Sequence, residues 1–209
     1  MRALIIGGGV AGNAAALALQ QVGWEPVVYE AYERSAGLAP GVFLTVAVNG
    51  LAALDAIGAG DAVRQLGFAT GQIRFASGTG KELGALDIGP RRANGETTRT
   101  VRRAELYAAL GEEALPRGIE THHGKRLVGA ATGADGVTAT FADGTTATGD
   151  VLIGADGLRS TVRQLVGPAA PGPRYTGLTN LGGFSRVPGV AFDGGDYRMV
   201  WGRRAFFGW

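Results

Sequence analysis

Gly7, Gly9 and Gly12 stand in G-x-G-x-x-G spacing near the start of the chain, and a carboxylate, Glu30, follows eighteen residues after Gly12. Residue types in this order are suited to holding a dinucleotide. Gly7 permits a sharp turn, Gly9 lets a pyrophosphate approach bare backbone, and Gly12 lets a helix pack close to a sheet. The helix entered at Val10 and Ala11 offers free N–H groups and a partial positive charge to phosphate oxygens. Glu30 is placed to accept hydrogen bonds from the hydroxyls of an adenosine ribose. The same carboxylate repels a ribose 2′-phosphate, so the pattern suits FAD or NAD better than NADP. Glycine is abundant here, 37 of 209 residues, so the spacing by itself is a weak sign. Its weight comes from the elements around it.

A second group of such residues lies in 151–163, VLIGADGLRSTVR. Asp156 is a short acceptor at a strand end, placed for a ribose or for a phosphate-bound water. Gly157 permits close backbone approach. Ser160 is suited to cap the next helix, and Arg163 to hold the turn or meet a phosphate. The plain alternative is a strand, an Asp-Gly turn and a helix with no ligand.

The elements that must position these groups follow from periodicity. Residues 2–6, RALII, read as one buried strand. Ala11, Ala15, Ala18, Leu19 and Val22 read as one apolar helix face, ended by Gly23. Pro26 to Glu30 reads as a second strand. Residues 31–47 form a loop holding a short strand, Val42 to Val46, and Asn49 to Ile57 is a helix. Asp61 caps a short helix through Leu66. Residues 71–77 and 82–88 are strands of a hairpin, and 68–98 reads as an excursion from the first sheet. Thr98 to Arg102 is a strand. Ala104 to Leu115 is a helix with Leu106, Leu110 and Ala114 on one face, stopped by Pro116. Ile119–His122, Lys125–Ala131, Val137–Phe141 and Thr145–Thr148 read as a meander turning at Asp143-Gly144. Val151 to Ile153 is a buried strand, and Ser160 opens a helix through Val166. Leu178–Val187 and Tyr197–Trp209 are β-like.

Composition removes several function classes. Apolar residues make up 45% of the chain and the formal net charge is +2, with no basic tail or stripe to suggest a nucleic-acid partner. Cysteine is absent, which excludes disulfides, thiolate metal sites and a cysteine nucleophile and fits a cytoplasmic, reducing compartment. The apolar run 3–19 holds four glycines and leads into a strand, unlike a signal peptide, and no stretch reads as a membrane span. His122 and His123 sit at adjacent strand positions, point to opposite faces and do not form a metal site. Arg91, Arg92, Arg99 and Arg102 read as a solvated face. Phe184, Trp201, Phe206, Phe207 and Trp209 read as sheet core. Neither G-x-S-x-G nor a Walker A loop is present.

With both constellations in view, the chain resembles the flavoprotein aromatic hydroxylases, the single-component FAD monooxygenases like para-hydroxybenzoate hydroxylase. That family carries the N-terminal G-x-G-x-x-G and a later D-G motif with Ser and Arg three and six residues beyond its Gly. Both patterns stand here, at Gly7/Gly9/Gly12 and at Asp156/Gly157/Ser160/Arg163. Arg103-Ala-Glu-Leu106 resembles the family's R-x-x-L, whose Arg lies by the flavin. Gly41 to Leu44, with Asn49-Gly50 and Leu54, resembles the segment lining the flavin. The resemblance covers residues 1 to about 170 well and 171–209 more weakly.

The resemblance implies an α/β fold: a Rossmann-like FAD-binding domain with a β meander, plus part of a second, mainly β substrate domain. The expected division is 1–67 and 99–170 for FAD, and 68–98 with 171–209 for the substrate domain. It implies FAD as cofactor, NAD(P)H as co-substrate, and transfer of one oxygen atom from O₂ to an electron-rich aromatic small molecule. The flavin carries that chemistry, so no acid–base dyad is required and none is found. A third family motif, a later Gly-Asp pair, is not matched. Gly60-Asp61 and Gly149-Asp150 come too early, and Gly195-Asp196 reads as a loop between strands. The chain therefore reads as a fragment or shortened protein whose 209 residues alone do not sustain hydroxylation. Two other readings stay open here: a reductase of the same fold, and a nucleotide-binding module without turnover.

Overall fold

A computed structural model describes residues 1–34, 42–184 and 195–209. The chain begins β1 (Arg2–Ile6), α1 (Val10–Gln21), β2 (Glu25–Tyr29), β3 (Phe43–Val46), α2 (Val48–Ala56), α3 (Gly60–Arg64) and β4 (Phe68–Ala69). Next come β5 (Gln72–Ser77), β6 (Glu82–Asp87), β7 (Arg99–Arg102), α4 (Arg103–Ala114) and a 3-10 turn (Leu115–Arg117). Then follow β8 (Glu120–His122), β9 (Leu127–Gly133), β10 (Gly136–Phe141), β11 (Thr146–Gly149), β12 (Val151–Gly154) and α5 (Thr161–Val166). After residue 194 come β13 (Asp196–Trp201) and β14 (Phe206–Gly208). The architecture is α/β, as expected.

The organising sheet is parallel, in the order β12-β1-β2-β8. Both faces of β1 are covered. Ile5 joins a core with Leu17, Leu51, Leu106 and Leu110, and Leu4 and Ile6 join another with Val27, Phe141 and Val162. Ala3 to Ile6 are at most 3% exposed. Burying such side chains stabilises by roughly 1.5–3 kcal/mol each, and a one-residue slip would exchange the two faces. Register is therefore fixed from Ala3↔Val151 through Ile6↔Gly154.

Three smaller sheets complete the fold, in the orders β11-β10-β9, β3-β7-β4 and β14-β13-β5-β6. The meander loses its first expected strand. The segment at Ile119–His122 pairs parallel with β2 and closes the edge of the main sheet, because Ile119 is drawn into the α1–α4 core. The apolar face of α1 is also displaced. Gly12, Asn13, Ala16 and Leu17 are buried, Ala15 and Leu19 pack against the core as partly buried side chains, Ala11 is exposed and Val22 is 70% exposed. In a helix apolar almost all round, the contact of Gly12 with the preceding turn sets the rotation. Leu106, Leu110 and Ala114 of α4 are buried as expected. The helix gives way at Pro116, and Gly118 takes the left-handed conformation after it, φ +73°.

Further expectations change in the second half. Residues 178–184 form no strand, and 185–187 lie outside the described residues. Asp196 opens β13 and pairs with Arg74 at 3.0 Å, so Gly195-Asp196 is a strand start. Phe184, Trp201, Phe206, Phe207 and Trp209 are 44–67% exposed and form no core here. Two pins join the fourth sheet and its return segment to the rest. One is a buried hydroxyl chain, Thr70 Oγ1 to Thr100 Oγ1 at 2.5 Å and Thr100 Oγ1 to the Tyr197 hydroxyl at 2.8 Å.

The other pin is ionic. Arg64 donates to both Asp55 oxygens at 2.6 and 2.8 Å and to Glu96 at 2.6 Å. Arg92 donates to Asp55 at 2.7 Å and to Glu96 at 2.8 Å. Arg92 is thus held in a cluster, and Arg99 donates to the Leu66 carbonyl at 2.6 Å, so neither belongs to a freely solvated face. Asp61 does not cap α3. The N-cap is Ala59, without a side-chain bond, and Asp61 lies in the first turn, 3.2 Å from Arg64. A side chain at Gly60 would strike Asp55 Oδ1, so glycine there leaves the Asp55–Arg64 pair undisturbed.

Hydrogen bonds from Arg64, then Arg92, hold the Asp55 carboxyl far below the usual carboxylate range, and Arg64 foremost lowers that of Glu96. The unfolded chain binds more protons than the folded one as these groups titrate. Their contribution is complete above the unfolded values, about 3.9 and 4.3, and drains away as pH falls below them. Melting temperature should fall on acidification from pH 5 to pH 3, and Asp55→Asn should have a lower melting temperature at pH 7 with a flatter acid limb. Parallel acid limbs for parent and variant would show that the cluster carries no such linkage.

Candidate functional site

β1 connects through α1 to β2 on one side and pairs with β12 on the other, so chain winding reverses between β1 and β12. In open α/β sheets ligands bind at the carboxyl ends of the strands at such a point. The loops after β1 and β12 are the two glycine-bearing segments, more than 140 residues apart in sequence. They touch here: the Ala155 N–H donates to the Ile6 carbonyl at 2.8 Å, and a side chain at Gly7 would strike the Ala155 carbonyl.

The three glycines separate by what surrounds them. Gly7 has φ +108°, a backbone region open to glycine, and its N–H donates to Tyr29 O at 2.9 Å. A side chain at Gly12 would run into the Gly7 carbonyl oxygen. Gly9 is the helix N-cap with φ −78° and ψ −166°, a conformation any residue adopts, and a side chain there would meet nothing within 4 Å. The protein itself needs glycine at positions 7 and 12. At position 9 it leaves clear space over the start of α1. Among the described residues no side chain caps that helix, and its first turn holds no acid, so the amides of Val10 and Ala11 are left to a ligand or solvent.

Two polar side chains hold the loop. Glu30 directly follows β2 and accepts from the Gly8 N–H at 2.7 Å and from the Tyr32 N–H at 2.9 Å, one bond on each oxygen. A lone pair remains on each for further donors. Asn13 is 4% exposed and donates from Nδ2 to the Gly8 carbonyl at 2.8 Å. Sequence reading missed Asn13. Its signal was an amide in the first turn of a helix otherwise apolar until Gln20.

Asp156 and Ser160 build the start of α5. One Asp156 oxygen accepts from Ser160 Oγ at 2.5 Å, and the other from the amides of Thr161 at 2.6 Å and Val162 at 3.2 Å. Ser160 is the N-cap and accepts from the Arg163 N–H at 2.9 Å. The Asp156 carboxylate, expected to serve a ribose or a water, is engaged by its own helix. Gly157 has φ +79° and open space where a side chain would stand. Arg163 Nη2 holds the turn through Leu158 O at 3.1 Å, while its buried Nε has no partner among the described residues. Arg103 is the first residue of α4, and its Nε donates to the Tyr107 hydroxyl at 2.7 Å, within its own helix. Of the segment expected from the sequence to line a flavin, Phe43 and Leu44 lie in β3, and Gly41 is outside the described residues.

Elsewhere the chemistry is sparse. His122 stacks on Tyr29 with ring centroids 5.3 Å apart, and His123 Nδ1 lies 3.3 Å from Tyr32 O. Among the described residues no three His, Cys, Asp or Glu gather to hold a metal ion, and no helix is long and apolar enough to cross a membrane. An open hollow of about 440 Å³ lined by Phe75, Leu83, Leu86 and Trp201 bears no titratable group.

Fold and loops together define an α/β dinucleotide-binding protein. More specifically, the chain belongs to the FAD binding domain family, whose model matches residues 1–201. It is 32% identical over 193 residues to a FAD-dependent urate hydroxylase of Klebsiella pneumoniae subsp. pneumoniae, covering 90% of this chain and 48% of that protein. It is 33% identical over 182 residues to 3-hydroxybenzoate 6-hydroxylase of Klebsiella oxytoca, covering 85% and 45%. Among solved structures, Klebsiella pneumoniae HpxO complexed with FAD and uric acid superposes with TM-score 0.68 at 31% identity, covering 78% of this chain and 41% of that one. The chain spans about half the length of the curated relatives it matches.

The glycine environments give a prediction. Gly12→Ala forces its Cβ into backbone and should destabilise by at least the roughly 1–3 kcal/mol of an overpacked core. Gly9→Ala should lower the melting temperature by no more than about 4 °C, because its Cβ meets nothing within 4 Å and only the modest preference of a helix N-cap for glycine over alanine is lost. Equal melting temperatures for the two variants would show that the close approach at Gly12 is not a constraint.

Proposed function

We propose that this chain is the FAD-binding part of an NAD(P)H-driven, FAD-dependent monooxygenase that hydroxylates an aromatic or polycyclic small molecule. The observation that carries the reading is the clear space over Gly9 at an uncapped helix N-terminus, between a loop braced by Glu30 and a second glycine loop after β12. These residues fit the ADP half of FAD. The amides of Val10 and Ala11, with Gly9, take the diphosphate. Glu30 spends its remaining lone pairs on the ribose hydroxyls. Gly157 admits the cofactor close to the β12 loop, and Asp156, Ser160 and Arg163 keep that loop in shape. The exposed head of Arg103 is a donor toward the cofactor's polar edges.

When bound, FAD supplies the redox chemistry of the reaction, with NAD(P)H as the reductant and O₂ as the oxygen source. This chain's residues bind and orient it and exclude water. The division expected from the sequence is proposed with it: 1–67 and 99–170 seat FAD, while 68–98 and 171–209 contribute to the substrate domain. Its support is that β13 pairs with β5 in one sheet across more than 100 intervening residues. The relatives named for hydroxylation of urate and 3-hydroxybenzoate support the reaction class and an aromatic substrate.

The test is FAD titration by flavin fluorescence. Gly9→Val should keep the parent's circular dichroism and lose FAD binding. Glu30→Ala removes charge-assisted bonds of roughly 1.5–3 kcal/mol, so affinity should fall about tenfold to a hundredfold. A Gly9→Val protein that retains FAD as tightly as the parent would overturn the site. For the reaction, the whole enzyme of which this chain is read as a part, supplied with NAD(P)H, an aromatic substrate and isotopically labelled O₂, should yield a labelled hydroxylated ring, whereas the 209 residues alone should not. A reductase would leave the label in water or peroxide.

A further inference from the structure

Asparagine stands directly before glycine at Asn49-Gly50 and at Asn94-Gly95. At such a step the main-chain nitrogen of the glycine can attack Cγ of the asparagine, because no side chain on the glycine hinders the approach. The fold treats the two steps differently. Asn49 and Gly50 lie in the first turn of α2. The Gly50 N–H donates to Asn49 Oδ1 at 2.9 Å, so its nitrogen faces the amide oxygen and not Cγ. The Leu51 N–H donates to the Ala47 carbonyl at 2.9 Å. Closing a ring there means turning Asn49 out of its helical conformation and opening that turn.

Asn94 and Gly95 lie outside every helix and strand, and both are exposed. Gly95 has φ +84°, and a side chain there would meet nothing within 4 Å. The Asn94 side chain folds back over the Gly95 peptide, its Oδ1 accepting from the Glu96 N–H at 3.0 Å. That bond draws electron density from Cγ. The Gly95 N–H is held by one turn bond, to the Arg92 carbonyl at 2.9 Å, and an exposed bond of this kind opens at little cost.

The same turn carries the ionic pin. The Arg92 N–H donates to the Glu96 carbonyl at 2.8 Å. With the backbone so closed, the Arg92 guanidinium meets Glu96 at 2.8 Å and Asp55 at 2.7 Å, and Glu96 meets Arg64 at 2.6 Å. The length of chain between Arg92 and Glu96 therefore sets whether both reach α2 and α3.

We propose that Asn94 is a site of spontaneous deamidation whose isoaspartyl product releases this pin. The Gly95 nitrogen bonds to Asn94 Cγ, the Cγ–Nδ2 bond breaks, and the amide nitrogen leaves as ammonia with the proton from the Gly95 nitrogen. Water then opens the cyclic imide. Attack at Cγ gives aspartate. Attack at the main-chain carbonyl carbon breaks its bond to the Gly95 nitrogen and gives isoaspartate, with the chain running through Cβ and Cγ. No electrons are gained or lost. Isoaspartate lengthens the backbone between Arg92 and Glu96 by one carbon, so these residues cannot keep both their main-chain bond and their contacts with Asp55 and Arg64.

The test holds the purified protein warm at mildly alkaline pH, which favours loss of the amide proton, and follows tryptic peptides by mass spectrometry. Peptide 93–99 should show replacement of NH by O at least about tenfold faster than peptide 35–64, which carries Asn49. In protein kept denatured in urea the two should convert at similar rates, since glycine follows both asparagines. Converted 93–99 should accept methyl groups from an isoaspartyl methyltransferase, and the aged protein should melt about 2–4 °C below the fresh protein. Asn94→Ser keeps an oxygen for the Glu96 N–H and has no amide to lose, so it should age without that fall. Conversion of Asn49 as fast as Asn94 in the folded protein, or an unchanged peptide 93–99, would overturn the site. Full conversion with the melting temperature of fresh protein would overturn the release of the pin.

Discussion

Everything in the site depends on the pairing of β1 with β12. Four rungs, Ala3↔Val151 to Ile6↔Gly154, bring two loops from distant parts of the chain to one crevice. The pairing is secured from both faces, because Leu4, Ile5 and Ile6 are divided between two cores. A parallel sheet covered on both sides leaves its strands no latitude in register. The backbone of Gly7 then lies against Ala155 with no room for a Cβ. The turn that faces the ligand is thus shaped by protein contacts, and its one uncrowded glycine is the one a phosphate would approach.

Rigidity in the loop is local and polar. Glu30 and Asn13 grip Gly8 from opposite sides, one taking its N–H and the other giving to its carbonyl. A bonded pair of this kind holds the amides of the loop in place before any ligand arrives, which lowers the ordering cost of binding. On the other side of the crevice Asp156 and Ser160 do the same for α5. The acid that read as a ligand contact is first a helix cap.

The fourth sheet is attached by fewer and more specific links. Arg64 and Arg92 share Asp55 and Glu96, and the Thr70–Thr100–Tyr197 chain crosses from β7 to β13. Ion pairs of this exposure are screened by solvent and contribute modestly. A hydroxyl chain inside the seam is directional and less forgiving. Apolar side chains on the outer part of this sheet remain uncovered, from Leu83 and Leu86 to Trp209.

Some of this was written locally and could be read off the chain. β1 matched its sequence run residue for residue because a short apolar run bounded by Arg2 and Gly7 has one plausible use. The glycine spacing, the acid after β2, the cap at Ser160, the stop at Pro116 and the β5–β6 hairpin are likewise short-range effects of backbone sterics and hydrogen bonding. What distant residues decide was not legible. The rotation of α1 followed from the approach of Gly12 to Gly7, since a helix apolar all round has no face to read. β8 left the meander because β2 offered it a parallel edge and the α1–α4 core took Ile119. Arg92 became an anchor only when folding set it beside Asp55, and Tyr197 met Thr100 across 97 residues of sequence. Local stereochemistry determines which elements form. Which side chains meet depends on packing, whose partners carry no mark in the sequence.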